Sequence, residues 1–102
     1  MQLTVSTFRA DCTDKEQAVK VLEEASEARE AWQQLAGLKT IVPMLVPSKE
    51  LDDLIDSHRE ILADELADTI TACANLADRY GLDLQDALGR VERKNRERGR
   101  YE

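Results

Sequence analysis

VLEEASEAREAWQQL, residues Val21 to Leu35, is the stretch that decides the fold, because its apolar residues recur at helical spacing. Those that fall on one face of an α-helix are Val21, Ala25, Ala28, Trp32 and Leu35. We therefore predict a core helix that packs through this stripe. Glu24 and Glu27 lie at the edge of the stripe, whereas Glu23 and Glu30 lie on the opposite, solvated face. A second helix would half bury Glu24 and Glu27, and two such carboxylates favour a cation.

Start and stop signals set the limits of this first helix. Thr13 or Asp14 can cap it and Gly37 supplies a stop, so we predict a helix over residues 14–36. Residues 1–12 are too short and too polar to form a sheet unaided, and we expect an extended arm there. Residues 38–47 hold two prolines, which predicts a loop that is buried or contacts a partner.

Two further helices follow. Residues 48–80 contain neither Gly nor Pro. This segment fits either one helix, from the cap Ser48 to the stop Gly81, or two helices with a break near Ser57. The main apolar stripe of this segment is predicted to comprise Leu62, Leu66, Ile70, Cys73, Ala77 and Tyr80. A second arc on the same helix holds Ile61, Glu65, Asp68, Ala72 and Leu76. A last helix over residues 84–98 packs through Leu84, Ala87, Leu88 and Val91. The prediction is an all-α bundle of three to four helices.

Composition limits the classes of function. A chain of 102 residues is one small domain, and with only four aromatic residues it has a thin core, so we expect at least a dimer. The apolar run from Ile41 to Val46 is the expected interface. A net charge of -7 argues against a nucleic-acid polymer as partner. Residues 90–100 form a basic tail, with six basic and two acidic side chains.

Neither a membrane segment nor a cysteine framework is indicated. No apolar run approaches the roughly 20 residues that span a bilayer, and no signal-peptide pattern opens the chain, so we expect a cytoplasmic protein. Cys12 and Cys73 stand far apart and the chain has one His, which predicts free thiols and no zinc site.

Two pairs of acids at i, i+3 spacing carry the candidate chemistry. Glu24 and Glu27 form one pair and Glu65 and Asp68 the other, each on its own predicted helix. If the pairs face each other, they offer four oxygen ligands on rigid backbones, which suits Mg²⁺, with Mn²⁺ as the other choice. Acids at this spacing are also common on solvated helix faces, so the residues alone leave surface charge as an alternative.

The same acids carry a resemblance to a known family. Glu23, Glu24 and Glu27 form an EExxE motif, and Glu65 and Asp68 form an ExxD motif. Together they resemble the signature of the MazG-like all-α nucleotide pyrophosphohydrolases. The resemblance implies Mg²⁺-dependent cleavage of a nucleoside or deoxynucleoside triphosphate to the monophosphate and pyrophosphate. It also implies an active site between the two motif helices that is completed by a homodimer or a dimer of dimers.

Carried over to this chain, the resemblance makes Glu24, Glu27, Glu65 and Asp68 the catalytic metal ligands, and Glu23 a less certain one. The chain also resembles members of the family in its Asn- and Arg-rich ending. This implies a substrate-binding role for Lys94, Asn95, Arg98 and Tyr101. Two features depart from the family pattern: 37 residues separate the two motifs, and an arm replaces the helix that longer relatives place before EExxE.

The other candidates have alternatives. Asn75 lies one heptad beyond Asp68 and could reach a nucleotide, although a solvated Asn fits equally well. Trp32 could stack on a base, although its place in the stripe favours the core. Basic residues at a helix C-terminus are expected from the helix dipole alone. A non-catalytic helical interaction module, with surface acids and a basic tail for an acidic partner, is the alternative function.

Overall fold

The computed structural model describes all residues from 1 to 102 and is all-α. It contains α1 (Asp14–Ile41), a short 3-10 helix (Val42–Met44), α2 (Lys49–Arg79) and α3 (Leu84–Glu97). The all-α prediction is therefore confirmed. Residues 1–12 belong to no helix or strand, as expected of an arm. None of the helices combines the length and the apolar character needed to cross a membrane.

Local signals set most helix ends. The Thr13 side chain accepts a hydrogen bond from the Glu16 amide, and the Glu16 side chain accepts one from the Thr13 amide, which is a capping box. Ser48 caps α2 by accepting a hydrogen bond from the Leu51 amide. Gly81 has φ +62°, the left-handed conformation that ends a helix in a Schellman motif. The predicted caps and the predicted stop at Gly81 are confirmed.

The prediction that α1 ends at residue 36 is wrong, since the helix continues through Gly37 to Ile41. Leu35 and Leu38 are half-buried on the side of α1 that faces α2, so packing continues past the glycine. A glycine inside a helix costs only about 1 kcal/mol relative to alanine, which packing of this kind outweighs. Within the predicted loop of residues 38–47, four residues extend α1 and Val42–Met44 form the 3-10 turn.

Residues 49–79 form one continuous helix, which resolves the choice that the sequence left open. With 31 residues α2 is about 46 Å long at 1.5 Å per residue. It packs antiparallel to α1, so that Gln17 near the start of α1 lies beside Ala72 near the end of α2. The Gln17 side chain is buried and its amide donates a hydrogen bond of 3.4 Å to the Ala72 carbonyl.

The contact between α1 and α2 runs along a seam that includes part of the predicted stripes, namely Val21, Ala28 and Leu35 on α1 and Leu62 on α2, together with Glu65, Ala72 and Leu76 of the second arc. On α1 the seam comprises Gln17, Val21, Glu24, Ala28, Ala31 and Leu35, and on α2 it comprises Leu51, Ile55, His58, Leu62, Glu65, Thr69, Ala72 and Leu76. Ala25, Trp32, Leu66, Ile70 and Tyr80 were predicted to be core and are exposed. The helices approach each other through small and polar residues, which leaves the larger apolar side chains on the outside.

The arm contacts the hairpin, whereas α3 lies apart from it. The arm passes along α2, where the Phe8 amide donates a 3.0 Å hydrogen bond to Oδ1 of Asn75 and the Arg79 guanidinium donates a 2.8 Å hydrogen bond to the Ala10 carbonyl. The first four residues of the arm line a groove together with α3. No hydrogen bond or ion pair joins α3 to either hairpin helix, and Leu88 and Val91 on its predicted packing face are exposed. The bundle within one chain is therefore a two-helix hairpin with a separate third helix.

Candidate metal centre

Three glutamates meet midway along the hairpin. Glu24 and Glu27 come from α1, and Glu65 comes from α2, and one carboxylate oxygen from each lies within 4.8 Å of the other two. The spacing explains the meeting, because residues three apart on α1 project from nearly the same side, and the antiparallel helix places Glu65 opposite them. The structure thus brings together three of the four acids predicted as metal ligands.

The three carboxylates have different surroundings. Glu24 lies in the seam between Val21 and Ala28 of α1, and its side chain is only 14% exposed. Glu65 is half-buried in the seam of α2, whereas Glu27 is exposed at its rim. Two inner oxygens and one outer oxygen therefore surround one small space that is open to solvent on the Glu27 side.

Repulsion among the acids raises the pKa of Glu27. The negative charge of Glu24 raises the pKa of Glu27 above its ordinary value of 4.5, and desolvation and the charge of Glu65 add to the rise. A proton on Glu27 relieves this repulsion, and a cation placed among the three oxygens would relieve it equally well. Lys20, one turn before Glu24, supplies part of the compensation through an ion pair of 3.5 Å.

Two oxygens of the cluster lack a hydrogen-bond partner. Oε2 of Glu24 and Oε2 of Glu65 are buried and accept no hydrogen bond. Buried polar atoms normally have a partner, because leaving one unpaired costs about 1–3 kcal/mol. Carboxylate oxygens are the ligands that Mg²⁺ and Mn²⁺ prefer. The donor set of this cluster therefore fits such a cation.

Asp68 and Glu23 stand outside the cluster. Asp68 is exposed on α2 and is not among the carboxylates that meet. Its shorter side chain begins one turn after Glu65, toward the flank of the hairpin on which Glu27 lies. Glu23 is exposed, as its place on the solvated face of α1 predicted.

No family model matches the chain, and neither a curated protein nor a solved structure gives a significant match. The resemblance to the MazG-like enzymes therefore stays a prediction that rests on the two acidic motifs.

Two of the predicted substrate residues of the tail, Asn95 and Tyr101, contact each other, and no hydrogen bond or ion pair joins the tail to the hairpin. Asn95 donates a 3.5 Å hydrogen bond to the Tyr101 hydroxyl and accepts one of 2.9 Å from Arg100. The Arg96 guanidinium lies 5.2 Å from the centre of the Tyr101 ring. Lys94 and Arg98 are exposed. Within one chain the basic tail is thus a separate cluster, with no polar contact to the three glutamates.

Asn75 and Trp32 also have surroundings that the sequence did not reveal. Asn75 is buried, and its carbonyl oxygen is held by the Phe8 amide of the arm. Trp32 is 55% exposed and lines a shallow depression with Leu62 and Leu66. At 100° per residue, Trp32 and Glu27 lie about 140° apart around α1, so Trp32 is on the other side of the hairpin from the opening of the cluster.

Sequence reasoning missed Lys20 as a member of the site. Its ion pair with Glu24 has i, i+4 spacing, which a search for opposite charges along the helix would have found. The contact between Asn75 and the arm has no such local signal, because the two partners are 67 positions apart.

Proposed function

We propose that this chain is a metal-dependent nucleotide pyrophosphohydrolase of the MazG-like kind, in which Glu24, Glu27 and Glu65 hold Mg²⁺ or Mn²⁺. The observation that carries the proposal is the meeting of these three carboxylates with two buried oxygens that have no hydrogen-bond partner. The EExxE and ExxD motifs carry the resemblance to this family, and the proposed reaction is the one that the resemblance implies.

The proposed reaction is hydrolysis of a nucleoside or deoxynucleoside triphosphate. The oxygen of water bonds to the α-phosphorus, and the bond from that phosphorus to the oxygen that bridges it to the β-phosphorus breaks. The water gives its proton to solvent, and the products are the nucleoside monophosphate and pyrophosphate. When bound, the metal would lower the pKa of water and neutralise phosphate charge. Asp68, on the flank next to Glu65, is the proposed fourth carboxylate and would turn inward when the cation binds.

The residues of the chain have separate roles in this proposal. Glu24 and Glu65 are held by the seam, so their oxygens are positioned before a ligand arrives, which reduces the entropic cost of binding. Glu27, exposed at the rim, faces the side from which substrate would enter. Lys20 would release Glu24 to the cation or move to a phosphate oxygen. Lys94 and Arg98 would neutralise the charge of the polyphosphate. Because α3 stands apart from the hairpin of its own chain, these two residues would come from a second copy.

A panel assay tests the proposal. The protein is incubated with each common NTP and dNTP plus Mg²⁺, and pyrophosphate and the nucleoside monophosphate are measured. We expect both products from at least one nucleotide, with loss of turnover in Glu65→Gln and retention in Glu23→Gln, which changes an exposed acid next to Glu24. No release from any nucleotide, with enzyme near the substrate concentration, would refute the enzymatic proposal.

One observation favours the non-catalytic alternative. α3 has basic residues at its end and exposed apolar residues along one face, and it stands apart from the hairpin. A helix of this kind can dock on an acidic partner. In that case the panel assay is negative, and the three glutamates take no part in catalysis.

A further inference from the structure

Lys20 is the basic residue that is paired with the three glutamates. Its ammonium group lies 3.5 Å from Oε1 of Glu24. The other ion pairs of the chain join residues outside the cluster. Within the protein, the negative charge of Glu24, Glu27 and Glu65 is therefore offset by one positive charge only.

Lys20 lies on the open side of the cluster. Lys20 and Glu27 are seven residues apart, so they lie about 20° from each other around α1 and about 10 Å apart along its axis. Glu24 comes between them along the helix, one turn from each. Glu27 is exposed at the rim through which the cluster opens to solvent. The ammonium group of Lys20 is therefore on the side from which a dissolved cation would reach Glu24.

The contact between Lys20 and Glu24 is one that a dissolved cation can displace. Its length of 3.5 Å exceeds the roughly 2.7–2.9 Å of strong hydrogen bonds between charged groups, and the Lys20 side chain is 49% exposed. Lys20 donates no hydrogen bond to Oε2 of Glu24 or Oε2 of Glu65, which are buried without a partner. Lys20 thus supplies charge to the cluster and leaves its two buried oxygens free for a ligand.

The charge of the cluster distinguishes between cations. Three ionised carboxylates and the Lys20 ammonium group carry a formal charge of -2, which one divalent ion neutralises. A monovalent ion would replace the ammonium group at Glu24 and bring no additional charge. The ammonium group is also tethered to α1, which gives it a high effective concentration at that position. Lys20 therefore disfavours Na⁺ and K⁺ more than Mg²⁺ or Mn²⁺.

We propose that the Lys20 ammonium group is the resident cation of the metal-free cluster and makes the site selective for divalent over monovalent ions. The inference rests on the metal site of the proposed function, and it does not involve the nucleotide. Lys20 has to leave Oε1 of Glu24 before that oxygen can bind a metal ion. The lysine thus lowers the affinity of the site for every cation, and it lowers the affinity for monovalent ions most.

Titration with Mn²⁺, followed by the electron paramagnetic resonance signal of the free ion, tests the displacement. Lys20→Met removes the charge and keeps an unbranched side chain. It should bind Mn²⁺ about three- to tenfold more tightly than wild type, because no ammonium group has to leave Glu24. Lys20→Arg, which keeps the charge, should bind Mn²⁺ like wild type.

Lys15→Met is the matched control for this titration. Lys15 is exposed on the opposite face of α1 from Glu24, and its replacement changes the net charge equally. Its affinity for Mn²⁺ should equal that of wild type. Equal affinity in Lys20→Met and wild type would overturn the proposal. Weaker binding in Lys20→Met would overturn it too, because it would show that Lys20 only holds Glu24 in position.

Thermal melts in two salts at equal concentration test the selectivity. Potassium chloride supplies a small monovalent cation, and tetramethylammonium chloride supplies a bulky one at the same ionic strength. K⁺ should raise the melting temperature of Lys20→Met above its value in tetramethylammonium chloride, whereas wild type should melt at the same temperature in both salts. A difference between the salts that is as large in wild type as in Lys20→Met would contradict the selectivity.

These measurements separate the role of Lys20 from the proposed reaction, since none of them uses a nucleotide. The expected Mn²⁺ and K⁺ results together with a negative panel assay would refute the reaction and support the role of Lys20. Turnover of a nucleotide together with equal Mn²⁺ affinity in Lys20→Met and wild type would do the reverse. Absence of Mn²⁺ binding in both proteins would overturn the inference and the metal site together.

Discussion

Replacing Glu65 by Gln tests the carboxylate cluster without knowledge of the substrate. Two charges about 4.8 Å apart repel by about 3.5 kcal/mol at an effective dielectric constant near 20, and the carboxylate oxygens of Glu24 and Glu65 lie within that distance. Lys20 offsets part of this repulsion through its ion pair with Glu24. Without metal, Glu65→Gln should therefore be more stable than wild type by on the order of 1 kcal/mol, which raises the melting temperature by about 4–8 °C in a domain of this size.

With metal, the order of stability reverses. A ligand at ten times its dissociation constant stabilises the native state by about 1.4 kcal/mol, or about 6–11 °C in melting temperature. Wild type should show this rise in Mg²⁺, whereas Glu65→Gln should show little of it because one anionic ligand is lost. Thermal melts followed by circular dichroism measure both effects, and Glu23→Gln is the control because it removes one charge outside the cluster. An equal Mg²⁺ response in Glu65→Gln and Glu23→Gln would refute the reasoning.

Three further predictions concern the fold and its titration. Because the pKa of Glu27 is raised in the folded protein, protonation of Glu27 stabilises the metal-free protein at low pH. This stability is lost as the pH rises through the folded pKa. The free energy of unfolding in urea should therefore lack this pH dependence in Glu27→Gln. Gly37→Ala should stabilise the protein by about 0.5–1 kcal/mol, since Gly37 is helical with open space beside it. Gly81→Ala should destabilise it by about 1–2 kcal/mol, because Gly81 has φ +62°. Urea unfolding midpoints equal to that of the wild type in the two variants would contradict both predictions. Asn75→Ala should cost about 1–3 kcal/mol and release the arm at Phe8 to limited proteolysis, and unchanged cleavage would show that the 3.0 Å hydrogen bond does not hold the arm.

Helix ends were predictable where the signal is local. Thr13, Ser48 and Gly81 act through backbone groups within a few residues, so the sequence contains the whole interaction. Gly37 carries the same local signal as Gly81, but packing of neighbouring residues against α2 keeps the chain helical there. A stop signal in sequence thus competes with tertiary contacts that the sequence does not display.

The rotation of the two hairpin helices was predictable from hydrophobicity only in part. The predicted patterns contain Ala28 and Ala72, at which the helices meet, but also Trp32 and Leu66, which are exposed, and they omit the buried Ala31. Trp32 and Leu66 are left outside because one chain has no third layer to cover them. A stripe read from one sequence combines surfaces buried within the chain with surfaces available to a second copy.

The candidate site was predictable in its inner part only. The i, i+3 spacing of Glu24 and Glu27 and the seam position of Glu65 follow from helical periodicity, and these three residues meet. Asp68 lies toward the flank, because the α2 seam passes through Glu65 and Thr69. The distance between the basic tail and the site depends on how α3 leaves the turn at Gly81, which residue spacing does not determine.

Direct titration with Mn²⁺, followed by the electron paramagnetic resonance signal of the free ion, tests the central claim that the three glutamates hold a divalent cation. We predict that the wild-type protein removes free Mn²⁺ with saturation, that Mg²⁺ competes, and that Glu65→Gln abolishes this binding while Glu23→Gln retains it. A wild-type titration that cannot be distinguished from buffer, or from Glu65→Gln, would contradict the claim.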